Sequence, residues 1–287
     1  MTREPSNDRG RTRGPLILAA GKILFGTTAL AVRLIPLHPL IFVLTLNGFA
    51  AIAFSRGWKE LKAALQKKTW LVVLISLAFI VQDIAYYAAV KAMDVSVATL
   101  VRWVAPVFVV STTFLIGERV TRRTVFSALM AFCGLVIILA ERGIAYGAAN
   151  VTGILFSLLS ALTVAVYWMG AKVILKELDV RALILLRSLV ACVVLVPLVA
   201  IGFREEARSA LAFLPYLAGF GVLYGILAAY LDTRGIQETS ARQAAVHGYL
   251  VPMTTVIGSI LLLGEQLTPA LVVGGAMVIA GGYLARA

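Results

Sequence analysis

Apolar residues run along this chain in long blocks, separated by short gaps that hold charged residues, glycine or proline. A membrane-crossing helix needs about 20 mostly apolar residues. With that template the blocks predict ten spans. The first five lie near Pro15–Leu34, Pro39–Phe54, Trp70–Val90, Val95–Ile116 and Thr124–Ala140. The second five lie near Thr152–Leu175, Ala182–Gly202, Phe213–Leu231, Ala241–Leu263 and Pro269–Ala285. The blocks are too long for strands and lack an alternation of period two, which argues against a transmembrane barrel. Helix breakers fall between blocks at Pro36, Pro39, Gly57, Gly143, Gly147, Gly202, Gly264 and Pro269.

Composition supports the same picture. Of 287 residues, 61% are hydrophobic and only 14% charged. A soluble domain has about 45–50% apolar and about 25% charged residues, and one water-soluble core of this size cannot bury such an excess. The class is therefore all-α integral membrane, and a soluble enzyme, a disordered chain and a disulfide-stapled secreted chain are excluded. Cys133 and Cys192 sit inside apolar blocks and read as small buried hydrophobes, with no metal site implied. Residues 1–14 form a basic tail, and the apolar run beyond it reads as a retained first helix rather than a cleaved signal.

The net charge of +12 is explained by loop cations that set orientation, so no nucleic-acid partner is inferred. Arg56, Lys59, Lys62, Lys67 and Lys68 crowd the gap between spans two and three. The gap between spans seven and eight carries only Arg204 and Arg208, offset by Glu205 and Glu206. With both termini inside, most Lys and Arg fall on the inner side. The expectation is N-in and C-in.

The two halves repeat. Gly117-Glu118-Arg119-Val120-Thr121 is followed by Gly134, and Gly264-Glu265-Gln266-Leu267-Thr268 is followed by Gly281. Upstream, Ala98 and Pro106 correspond to Ala244 and Pro252. Five spans per copy force the second copy to insert upside down, a design recurrent in transporters. The expected organisation is the tail 1–14, a first five-helix repeat 15–142 and an inverted second repeat 143–287.

On these motifs the sequence resembles the EamA-type drug/metabolite transporter superfamily. The resemblance covers the chain from about residue 15 and is strongest over Ala89–Gly134 and Gly235–Gly281. Ala89-Val90-Lys91 is similar to the family's corner after the third helix. Arg187 matches an Arg the family carries early in the second helix of a repeat, whereas the first copy departs with Asn47. The resemblance implies a ten-helix exporter of small metabolites in the inner membrane, with the aromatic and neutral amino-acid branch as the nearest in character.

Polar residues within spans are the site candidates. Asp83 lies about 12 Å deep from the outer end of span three at 1.5 Å per residue. Arg102 lies at similar depth on span four. Two readings stand for this couple: a buried ion pair setting hairpin register, or a lining of the transport path. Lys22 is expected to snorkel inward from span one, and Arg187 to anchor a loop or set register. Trp103 precedes Pro106 by three residues and Tyr249 precedes Pro252 by three, so the pairs are equivalent under the repeat. The prolines are candidate kinks that could shape a central site. Gln82, Tyr86, Tyr87, Tyr167, Trp168, Gln243 and His247 complete the candidates for an apolar cavity with polar handles. Gly221, Gly225, Gly274, Gly275, Gly281 and Gly282 read as helix-packing positions.

No catalytic residue, cofactor or metal is inferred. The sequence holds no P-loop, no His-Glu-x-x-His and no Gly-x-Ser-x-Gly motif. The expected function is a secondary transporter working by alternating access, with a small-molecule cargo and membrane lipid as its partners. Asp83 or His247 is the candidate for proton coupling. The competing readings are an exporter of other metabolites or drugs, and a passive pore.

Overall fold

The computed structural model describes residues 8–105, 108, 122–142, 148–175, 178–239 and 247–286. Every regular element among them is helical. Helix α1 spans Asp8–Leu34, α2 Pro39–Ala53, α3 Trp58–Ala92 and α4 Val95–Arg102. Helix α5 spans Arg122–Arg142, α6 Ala148–Ile174 and α7 Val180–Gly202. A short α8, Arg204–Ala210, leads to α9, Leu214–Phe220. The π-helical stretch Gly221–Ala228 continues α9 into α10, Ala229–Glu238. Helices α11, Leu250–Leu263, and α12, Pro269–Arg286, close the order.

These elements overlap the hydropathy blocks, and α1, α3 and α10 extend beyond them to Asp8, Trp58 and Glu238. Five of the described stretches are long and apolar enough to cross a membrane, the longest running from Arg204 to Glu238. Shorter apolar helices cover Pro39–Ala53, Leu129–Glu141, Leu250–Leu263 and Pro269–Gly281. Leu16, Ile52, Val193, Ile201 and Leu261 are largely exposed, as expected where hydrocarbon replaces water. The turns follow the breakers. His38 caps α2, its Nδ1 accepting from the Leu40 amide at 3.4 Å, and Pro39 begins that helix. Gly264 ends α11 in the left-handed region at φ 70°, where a side chain would be strained.

Packing is reciprocal between the halves. Helix α1 lies against α10 and α11, while α6 lies against α3 and α4. Helix α2 meets α7, α4 meets α11 and α5 meets α12. Small residues allow these approaches. A Cβ on Gly274 would sit 2.6 Å from the Gly134 carbonyl, and one on Gly225 would strike the Leu46 carbonyl.

Two helices are interrupted ahead of a proline in the sequence. Helix α4 stops at Arg102, and Trp103 takes φ −74° and ψ 7°. Tyr249, just before α11, takes φ −71° and ψ −12°. Each lies three residues before a proline, whose ring crowds the carbonyl four residues upstream and offers no N–H to it. Pro252 itself sits buried in the first turn of α11, where a missing amide hydrogen is tolerated. The break therefore falls at Tyr249 rather than as a bend at Pro252. Pro106 and Gln243 lie outside the described residues, as do Gly117, Glu118 and Thr121 of the first Gly-Glu-x-x-Thr copy.

Candidate functional site

Helices α1, α3, α4, α6, α7, α10 and α11 surround a cavity of about 90 Å³. About 10–15 Å³ of such space suffices for one water molecule, so several fit. Gln82, Asp83, Tyr86, Tyr87, Trp103, Tyr167 and Trp168 all line it, so seven of the sequence candidates converge. Tyr249 is brought to the same place through ring contact: its centroid lies 5.7 Å from that of Trp103, which lies 5.9 Å from Trp168. His247 is half-buried and does not line the cavity.

Five charged side chains face this space: Lys22, Asp83, Arg102, Arg187 and Asp232. Of the two readings for Asp83 and Arg102, the ion pair does not form, and both side chains line the cavity. Arg102 instead donates from Nη2 to Gln82 Oε1 at 2.8 Å, with its guanidinium 4.3 Å from the Tyr86 ring centroid. Successive residues on a helix are about 100° apart, from 3.6 residues per turn. Gln82 thus meets the guanidinium while Asp83 faces the open cavity. Asp83 still feels the charge of both Arg102 and Arg187, yet no described group donates a hydrogen bond to it.

Arg187 is 5% exposed. Its Nη1 donates to the Tyr167 hydroxyl at 2.9 Å, and its guanidinium stacks 4.0 Å from the Phe79 centroid. Its Nε is buried with no hydrogen-bond partner. Of the two roles expected for Arg187, these contacts to α6 and α3 fit the setting of register and not the anchoring of a loop, because α7 turns the side chain into the bundle.

Lys22 does not snorkel. Its Nζ sits 2.8 Å from Asp232 Oδ1, with both side chains largely buried. A largely buried lysine is better neutralised by an adjacent carboxylate than left alone. Asp232 is the residue the sequence reading missed, because the apolar block ends at Leu231. The helix continues to Glu238 and carries Asp232 inward. The unpaired Lys22 in span one was the signal that a carboxylate partner was needed. Phe79 and Thr28 also line the cavity and carried no distinguishing motif.

One end of the bundle is tied together by hydrogen bonds between helices. Arg33 Nη1 donates to the Val90 and Lys91 carbonyls at 3.0 and 2.9 Å, and Lys91 Nζ donates to the Ile35 carbonyl. Glu265 of the second Gly-Glu-x-x-Thr motif caps α4. Its Oε1 accepts from the Val95 amide at 2.6 Å, and its Oε2 accepts from the Ser96 amide at 3.1 Å and hydroxyl at 2.5 Å. Thr268 of the same motif accepts from the Leu271 amide at 3.2 Å and donates to Glu141 at 2.6 Å. The motif thus links α4, α5, α11 and α12 at their shared end.

A family model for EamA-like transporters matches residues 12–140 and again 151–286. This chain belongs to the EamA-like transporter family. It is a multi-pass membrane protein and a transporter of small molecules, as the family is. Two proteins of Archaeoglobus fulgidus, each described as an uncharacterized transporter, are similar to it. One is 25% identical over 214 residues, 70% of each chain. The other is 25% identical over 191 residues, 66% of each chain. A solved crystal structure of a protein, 21% identical, superposes over 96% of both chains with a TM-score of 0.62. At that identity the likeness concerns the fold of this EamA-like chain alone.

Proposed function

We propose that this EamA-like chain is a secondary transporter that exports small metabolites across the inner membrane, with aromatic and other neutral amino acids as preferred cargo. The mechanism is alternating access around the cavity. One observation carries the reading: a mainly apolar cavity with charged handles, lined from both halves, with the repeat-equivalent Trp103 and Tyr249 in ring contact beside it. Residues related by a pseudo-two-fold axis can touch only near that axis. Transporters of this design bind cargo near the midplane at the repeat interface.

Several features support ten helices arranged as two inverted repeats, 15–142 and 143–287, with both termini inside. The family model matches twice. The pairing of α1 with α10 and α11 mirrors that of α6 with α3 and α4. The loop cations favour this orientation. In that frame, the tied end is the outer gate. Export rather than import rests on the family resemblance.

Uptake of radiolabelled Phe, Trp, Met and Thr into proteoliposomes of the purified protein tests the proposal. Saturable flux with cross-competition is expected, weakened by Trp103→Ala or Tyr249→Ala. Flux without saturation or competition would favour a passive pore. No flux from folded, reconstituted protein would overturn the amino-acid assignment and leave other metabolites and drugs as the cargo to screen.

A further inference from the structure

The cavity holds two groups of opposite charge whose hydrogen-bonding capacity is unused among the described residues. One is the Nε of Arg187, buried and without a partner although Nη1 is engaged by Tyr167. The other is the Asp83 carboxylate, 8% exposed and facing the cavity, which accepts no hydrogen bond from a described group. The remaining charges are already occupied. Lys22 is paired with Asp232, and Arg102 is held by Gln82 and the Tyr86 face.

A buried guanidinium N–H without an acceptor and a buried carboxylate without a donor are both costly. They persist where water or a ligand completes them, and a ligand that displaces the water has to supply both partners. Asp83 and Arg187 line the same cavity of about 90 Å³, so one small molecule can address both. From this we infer that the cavity recognises a zwitterion: the cargo's carboxylate accepts from Arg187 Nε, and its ammonium donates to Asp83. The inference rests on the amino-acid transporter reading and sharpens it, because it makes both charged groups of the cargo obligatory. A zwitterion also enters without changing the net charge of the cavity, which a lone amine or a lone acid would alter. Phe79, Trp103 and Trp168 supply the apolar and aromatic wall for the remainder of the cargo.

The test is competition in proteoliposomes of the full chain. The radiolabelled probe is whichever of Phe, Trp, Met and Thr is carried fastest. The competitors are its unlabelled form, its deaminated acid and its decarboxylated amine. A lost hydrogen bond to a charged group costs about tenfold or more in affinity, so both analogues are expected to compete at least about tenfold more weakly than the parent. Asp83→Asn is expected to abolish the preference for the parent over the deaminated acid. Arg187→Gln is expected to abolish the preference over the decarboxylated amine. A role in packing alone would weaken all three competitors together.

If either analogue competes within about twofold of the parent in the unmodified protein, the inference is overturned. That reading needs no variant to fold. Amino-acid flux with unselective competition would overturn the zwitterion site and leave the transporter standing. Absence of flux for every amino acid would overturn both.

Discussion

Lys22 and Asp232 show how one residue's placement depends on another 210 positions away. Removing one partner of a largely buried ion pair strands the other charge and costs about 3–5 kcal/mol, whereas replacing both by apolar residues of similar size is often neutral. Asp232→Leu alone should therefore lower the melting temperature of the detergent-solubilised protein sharply. Lys22→Met with Asp232→Leu should restore most of it, and a double variant no more stable than the single one would remove the pair from the account. His38, between α1 and α2, makes a smaller contribution. Burial holds its imidazole below the ordinary value of 6.5, and Glu206 partly opposes this. Its neutral Nδ1 is the acceptor that caps α2. With the folded value depressed, the folded state binds fewer protons. The contribution is complete above about pH 6.5 and is lost as pH falls below it. Melting curves between pH 7.5 and 5 should show a decline that His38→Asn, which keeps a capping side chain, reduces.

At the scale of elements, small residues and caps decide which helices can meet. Gly21 brings the backbone of α1 against that of α10: a Cβ there would lie 2.6 Å from the Asp232 amide nitrogen. That approach sets Lys22 next to Asp232. Gly21→Ala should separate the two helices and cost about 1–3 kcal/mol, read as a lower melting temperature with reduced flux. Glu265 acts across elements too, holding three donors at the start of α4. A charge-assisted cap of this kind is stronger than a neutral one. Glu265→Gln keeps one acceptor oxygen and loses the charge, which should loosen the tie between α4 and the α11–α12 corner. Labelling of a cysteine placed at Val95 by a membrane-impermeant maleimide should become faster. Unchanged labelling would mean that Glu265 stabilises the corner without gating it.

At the scale of the molecule, reciprocal packing suits a transporter that opens to either side. The α1 pairings with α10 and α11 are matched by the α6 pairings with α3 and α4, so exchanging the two conformations of the halves would move the opening from one face to the other. The cations of the cavity break this symmetry. The carboxylates come from α3 and α10, which belong to corresponding spans, whereas the cations come from α1, α4 and α7, which do not correspond. Gate motion can thus be symmetric while cargo recognition is not. The orientation is checked independently of transport. A fluorescent-protein fusion after Arg286 should fluoresce, and an alkaline phosphatase fusion at Met93 should be active. The opposite pair of results would invert the topology and move the tied end to the inside.

Hydrophobic block lengths alone determined the helical class and the positions of the described helices, because the bilayer requires long apolar segments with internally paired backbones. The polar helix ends before Pro15, before Trp70 and after Leu231 were not legible, because hydropathy does not mark a helix that continues past its apolar block. The turn of the second Gly-Glu-x-x-Thr copy and the breaks at Trp103 and Tyr249 were legible for a local reason: turns and proline breaks are written within a few residues. Contacts between distant segments were not legible. Sequence alone placed Asp83 and Arg102 at one depth, but only tertiary packing decided that Arg102 meets Gln82 and that Asp83 is left facing the cavity. Packing also decided that Lys22 finds Asp232 and that Arg187 points inward. The physical reason is that helix rotation and neighbour choice are set by side chains far apart in the chain, and hydropathy carries no record of them.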